Sequence, residues 1–300
     1  MGSVVGALAL SVICPAGVTG CSSGSGPDAS DDGSPLVKGL RTVSGDSGRS
    51  GPVTYLDAAA VRGLSEDGQK RSAAVSRPSS ALLNPYDPGP WAGHLKEDQV
   101  DTAVDTRAAG HWQGSFDAAG ITASLKANGH TRGEQDGRET WTRPHGKGVA
   151  PQVSKDTISY SVPGTAPLSA VHPEEGASPA DIEEYQRAAG CPGDVCRADF
   201  NPFTATKPVR PSALGRHAGS AGENTEVLCA VVKDGATARR LAADLRSVIR
   251  EESPQYDGAK VTVRQGEGPL VRTTVPDTAA RRPGRLMLSD LDLWPAVGRL

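Results

Sequence analysis

Between Glu226 and Val275 the spacing of apolar residues changes twice, and that change constrains the fold more than any other feature of the chain. Glu226–Val232 (EVLCAVV) is apolar on both faces, as a buried strand is. Asp234 is a helix-capping residue, and Leu241, Leu245, Val248 and Ile249 then recur at i, i+4, i+7 and i+8 through a predicted helix from about Ala236 to Glu252. Lys260–Arg264 and Leu270–Val275 follow, expected to pair across Gln265-Gly266-Glu267-Gly268. The order is strand, helix, hairpin.

An earlier stretch has the same order. His111–Phe116 suits a strand, and Asp117 caps a helix from Ala118 to Asn128 with Ile121 and Leu125 on one side and Gly129 as its stop. His130-Thr131-Arg132 and Glu139–Thr142 then form a hairpin across Asp136-Gly137. The expectation is an α+β fold of two β-α-β-β units, residues 53–150 and 151–300, in the arrangement of a possible duplication. Residues match poorly between the units, so the likeness is architectural. Around them, Asp57 is expected to cap a short helix carrying Ala58, Val61 and Leu64, Ser79–Leu83 to begin another helix, and Thr157–Val162 to be a strand. Ser178-Pro179-Ala180-Asp181 is a helix start that leads Ile182, Tyr185 and Ala189 inward and ends at Gly190. The apolar tail holding Leu286, Leu288, Leu291, Leu293 and Trp294 should cover a sheet edge or core.

The N-terminus carries a different message. An apolar run from Val4 to Ile13 precedes Val18-Thr19-Gly20-Cys21. The run has the length of a signal h-region and is too short to span a bilayer. A small residue before a cysteine is the pattern of a bacterial lipoprotein signal, so residues 1–20 are expected to be removed between Gly20 and Cys21, with a diacylglyceryl thioether on Cys21. Such signals begin with Lys or Arg, and Met1–Gly20 has neither, so the start codon is expected upstream. Two acyl chains anchor stably where one does not. Residues 21–52, rich in Ser, Gly and Asp, read as a flexible tether. The expected location is the cell membrane, lipid-anchored on its extracytoplasmic side.

Of five cysteines, Cys14 lies in the leader and Cys21 is the anchor. In an oxidising compartment Cys191 and Cys196 are the expected disulfide, across Pro192-Gly193-Asp194-Val195, with Cys229 a buried thiol. Pairings 191–229 and 196–229 stay open, since sequence does not choose among them. No His or Cys completes a metal set near this pair. Gly 36 and Pro 23 of 300 residues imply many loops. A net charge of −3 with no basic stripe argues against a nucleic-acid partner.

The catalytic lookalikes are weak. Gly45-Asp46-Ser47-Gly48 resembles the nucleophile segment of trypsin-like proteases, but the first histidine, His94, comes after it and the segment lies in the expected tether. His94, His111, His130, His145, His172 and His217 form no metal spacing; His111 and His130 flank the first helix, and His172-Pro173-Glu174-Glu175 reads as a solvated acidic patch. Asp98, Asp101 and Asp105 share a face only if they are helical. Tyr86, Trp91, Trp112 and Trp141 suit a groove or, better, a core. No phosphate loop, dinucleotide fingerprint or nucleophile elbow is present, and no cofactor is expected.

The stretch Trp91–Trp141, above all Gly114-Ser115-Phe116-Asp117 with Leu125, Gly129 and Trp141, together with Ala188-Ala189-Gly190-Cys191 up to Asp194, resembles a group of actinobacterial lipoproteins of uncharacterised function. The resemblance implies a surface lipoprotein and supplies no catalytic residues. The expectation is a non-enzymatic, membrane-anchored module that binds a small ligand or an envelope protein. The alternatives are a cell-envelope hydrolase with a site assembled from scattered residues, and a structural spacer.

Overall fold

The computed structural model describes residues 33–46, 51–83, 89–91, 93–135, 137–143, 148–162, 167–202, 206–217, 225–277, 284–288 and 290–300. The expected leader, Gly20 and the expected anchor Cys21 lie outside them. Residues 31–300 group as one compact unit.

The fold is α+β, dominated by one antiparallel sheet. Its strands are β1 (Val53–Asp57), β2 (Val100–Thr106), β3 (Ala109–Gly114), β6 (Ala150–Val153), β7 (Thr157–Ser161), β8 (Arg197–Asn201), β9 (Val209–His217), β10 (Thr225–Val232), β11 (Lys260–Arg264) and β12 (Leu270–Pro276). A separate hairpin is made by β4 (Thr131–Gln135) and β5 (Arg138–Thr142). The helices are α1 (Pro35–Leu40), α2 (Ala58–Arg62), α3 (Glu66–Ser72), α4 (Ala118–Ala127), α5 (Glu183–Gly190), α6 (Gly235–Glu251), α7 (Arg285–Leu288) and α8 (Leu293–Gly298).

The order across the large sheet is β11-β12-β10-β9-β8-β1-β2-β3-β7-β6. Read outward from the centre, β1-β2-β3-β7-β6 and β8-β9-β10-β12-β11 follow the same path: a three-stranded meander, a helix, then a hairpin whose second strand pairs back onto the third. A short helix precedes each meander, α1 before β1 and α5 before β8. The register has the same two-fold character. One cross-strand row runs Tyr55, Val104, His111, Ser159, and the adjacent row on the same face runs Phe200, Ala213, Cys229, Arg272.

The strand–helix–hairpin order foreseen at both places is present, with Asp117 and Asp234 capping α4 and α6 through Gly120 N–H and Thr237 N–H. In the second, the hairpin β11–β12 joins the large sheet. In the first, β4–β5 stands apart and β6–β7 takes the equivalent place. The sheet therefore runs straight through residue 150, where a boundary was expected, because β6 and β7 continue from β3.

Two layers cover the sheet. On one face, α1 and α5 bury Leu36, Val37, Leu40, Tyr185, Ala188 and Ala189 against Tyr55, Val104, Phe200, Ala213 and Val227. On the other, α4 packs Ile121 and Leu125 on Trp112, Ile158 and Tyr160, while α6 and α8 pack Leu241, Leu245, Leu293 and Val297 on Leu214, Leu228 and Val271. The C-terminal segment is core, as its apolar residues suggested, although Leu291 is 78% exposed.

Three expectations are corrected. The tether does not extend to residue 52: Ser34 caps α1, and Leu36, Leu40 and Val43 are buried, because three apolar residues at helical spacing can be taken from water together. Asp98–Asp105 is not a helix but a 3-10 turn running into β2, so the three carboxylates scatter: Asp98 is exposed, Asp101 pairs with Arg62, and Asp105 is buried. The disulfide is Cys191–Cys229, and Cys196 is a buried free thiol. The end of α5 sets Cys191 above β10, where Cys229 points to the same face; Pro192 and Val195 then lie on Gly215 and carry Cys196 to the start of β8, where its thiol meets the Arg216 carbonyl at 3.4 Å.

Candidate functional site

The site is built where α1 crosses the first meander. Ser34 Oγ accepts from Val37 N–H at 3.2 Å and Pro35 occupies the first turn, the pairing that starts short helices. Gly39 turns inward so closely that a Cβ there would sit 2.8 Å from the Tyr55 ring. The outward side carries Lys38. The chain then runs alongside residues 170–172: Val43 bridges Val171, Ser44 N–H donates to Ala170 C=O at 2.8 Å, and His172 N–H donates to Thr42 C=O at 2.9 Å. This pairing holds His172 in the left-handed region, at φ 57°, beside β3 and β7.

Between α1 and the sheet lies a half-open cleft of about 190 Å³, lined by Pro35, Lys38, Gly39, Thr42, Tyr55, Thr102, Val104, His111 and Gln113. Of its lining residues, His111 is tied to the neighbouring strand and loop: its Nδ1 lies 2.8 Å from Ser159 Oγ, and the same oxygen lies 3.0 Å from His172 Nε2. The two imidazoles meet edge-to-face at 4.5 Å. Ser159 has one proton to give, so one ring accepts from it and the other donates to it. On the outer wall Thr102 donates to Gln113 Oε1 at 3.3 Å.

Burial, then the neighbouring His172 and then Arg138 of β5 push the His111 pKa down to about 4. Burial and Arg138 lower His172 as well. Both rings are therefore neutral near pH 7, and no carboxylate contributes to either shift. A serine hydrolase needs an exposed hydroxyl, a base near pH 7 and a group that orients that base. Here Ser159 is only 4% exposed, and burial lowers the pKa of both imidazoles that share its hydroxyl, so the three groups form an array of donors and acceptors. Among the described residues, no three His, Cys, Asp or Glu side chains are grouped to hold a metal ion.

The opposite face carries a second polar set. Asp105, 3% exposed, accepts from Tyr160 Oη at 2.7 Å and Trp112 Nε1 at 2.9 Å, and Ser80 joins through Tyr160 at 2.8 Å. A side chain at Gly110 would strike this bridge, since a Cβ there would lie 2.5 Å from Tyr160 and 2.6 Å from the Asp105 carboxylate. Arg197 pairs with Asp199, and the fully buried Arg216 pairs with Asp277 at 3.3 Å.

Of the residues singled out in the sequence, His111 and His172 come together at the cleft, and Asp105 and Trp112 on the opposite face. His94 pairs with Asp117 at the cap of α4, His130 is buried after that helix, and His217 ends β9. Glu174 and Glu175 are exposed loop residues. Trp91, Trp112 and Trp141 are core. Tyr86, His145 and Ser47-Gly48 lie outside the described residues. Lys38, Thr42, Tyr55 and Ser159 were missed. One signal was legible: Ser34-Pro35 repeats the Ser-Pro start recognised at Ser178-Pro179. Comparison with protein-family models, with curated proteins and with solved structures returns no match.

Proposed function

We propose that this chain is a lipid-anchored binding protein of the cell envelope, fixed to the extracytoplasmic side of the membrane through Cys21 and taking a small ligand in the cleft under α1. The cleft is the observation that carries the reading. It is a polar-walled recess with an apolar floor between α1 and the sheet, and such recesses are where small molecules bind. The Cys191–Cys229 bridge is compatible with an oxidising compartment. The reading is non-enzymatic because Ser159 is buried and His111 is too weak a base for hydrolysis. The shared strand path of the two halves further supports reading them as copies of one α-β-β-β-α-β-β unit, with β4–β5 an insertion in the first.

Intact mass of the protein from the host membrane fraction, beside a Cys21→Ala variant, tests the anchoring. The expected result is an N-terminus at Cys21 carrying a diacylglyceryl mass, with the variant released from the membrane. An unmodified chain retaining Met1 contradicts it.

A further inference from the structure

The cleft's electrostatics narrow its ligand. We infer that it is an anion site, taking a small molecule through a carboxylate or phosphate group held between Lys38, Gln113 and His111, the cleft-side member of the His111–Ser159–His172 chain. This rests on the reading of the cleft as a binding site. Its walls offer donors: the Lys38 ammonium, the Gln113 amide nitrogen and, in the tautomer in which His111 Nδ1 accepts from Ser159, the His111 Nε2–H. They offer no carboxylate. Among the described residues Lys38 has no acidic partner, and Arg138, whose charge acts on both imidazoles, is a second cation. A cation bound here would face uncompensated positive charge, whereas an anion would gain charge-assisted hydrogen bonds.

The floor is apolar, made by Pro35, Val104 and the Tyr55 ring, so the organic part of a ligand has a surface to cover. The volume matches about six waters at ~30 Å³ each, the size of a small carboxylate or phosphate ester. The other half of the sheet supports the assignment by contrast. Cys229 occupies the place that His111 holds in the first half, and it is bonded to Cys191 at the end of α5. Arg272, in the place of Ser159, donates to the Cys191 carbonyl at 3.2 Å. There the helix is fastened down over the position that the first half leaves open.

The test is a titration of the full-length protein, ¹⁵N-labelled at histidine, with four probes: inorganic phosphate, acetate, methyl glucoside and choline. The expected result is saturable shifts of the His111 and His172 ring signals with phosphate or acetate. Affinity should fall at least ten-fold in Lys38→Glu and hold in Lys70→Glu, which is remote on α3. Whichever anion binds more tightly identifies the group recognised. Shifts with the neutral sugar or choline alone overturn the anion assignment and leave the binding site standing. Equal response in wild type and Lys38→Glu also overturns it. No response to any probe contradicts the site itself.

Discussion

Asp105 is a buried carboxylate that accepts from two buried donors, Tyr160 Oη and Trp112 Nε1. Burial raises its pKa to about 6, against the opposing hydrogen bonds from Tyr160 and Trp112 and the more distant Arg197 charge. The folded chain thus takes up a proton near pH 6 that the unfolded chain takes up only near 4. Stability conferred at this site is therefore larger below pH 4 than above pH 6, by about 3 kcal/mol for two units at 1.36 kcal/mol each. Denaturation of wild type and Asp105→Asn at pH 7.5 and pH 5 checks this: the wild type should gain relative to the variant on acidification, and equal slopes would contradict it. Gly110→Ala should destabilise by several kcal/mol in the same assay, because the added methyl has no room between Tyr160 and Asp105. Cys196 is the third residue of consequence. Burial drives its thiol pKa up to about 11, which makes it inert. Peptide mapping under native conditions should recover Cys191 linked to Cys229 and Cys196 unalkylated until the chain unfolds. The sequence left these pairings open because spacing along the chain says nothing of which face of a sheet a cysteine reaches.

At the level of elements, α1 matters most. Leu40 is completely buried beneath it, so Leu40→Ala should cost about 2–5 kcal/mol and loosen the cleft wall. A variant as stable as wild type would mean that α1 does not form the wall. The helices and hairpins with strong caps and clean periods were legible: α4, α6, β4–β5 and β10–β12. The strands that were not legible break the rules such reading relies on. β2 carries Asp101 and Asp105 at a spacing that imitates a helix face. β9 contains Pro211 and the buried Arg216, and both are tolerated for local reasons: the register shifts beside Pro211, and Asp277 pairs with Arg216. The cleft was half legible, since His111 and His172 stood out by type, but only the pairing of residues 42–44 with 170–172 brings them together.

Across the whole molecule, the central β1–β8 pairing joins two halves that follow one path. Val53–Leu56 pairs with Arg197–Phe200, with Tyr55, Phe200 and Ala198 packed in one core. Phe200→Ala, expected to cost about 3–5 kcal/mol, should lower the stability of both halves together in one cooperative transition. Two separated transitions would show that the halves fold independently. The large-scale difference between them is how α1 and α5 sit on a shared face: one is bonded to the sheet and closes it, the other leaves an opening. Gln113 lies two residues beyond His111, and Val231 two residues beyond Cys229, on equivalent strands. Rates of native-state thiol labelling of Gln113→Cys and Val231→Cys compare the two places directly. The account predicts rapid labelling at 113, slowed by a cleft-bound anion, and none at 231 before unfolding; equal rates at both, or a protected 113 in the ligand-free protein, would contradict it.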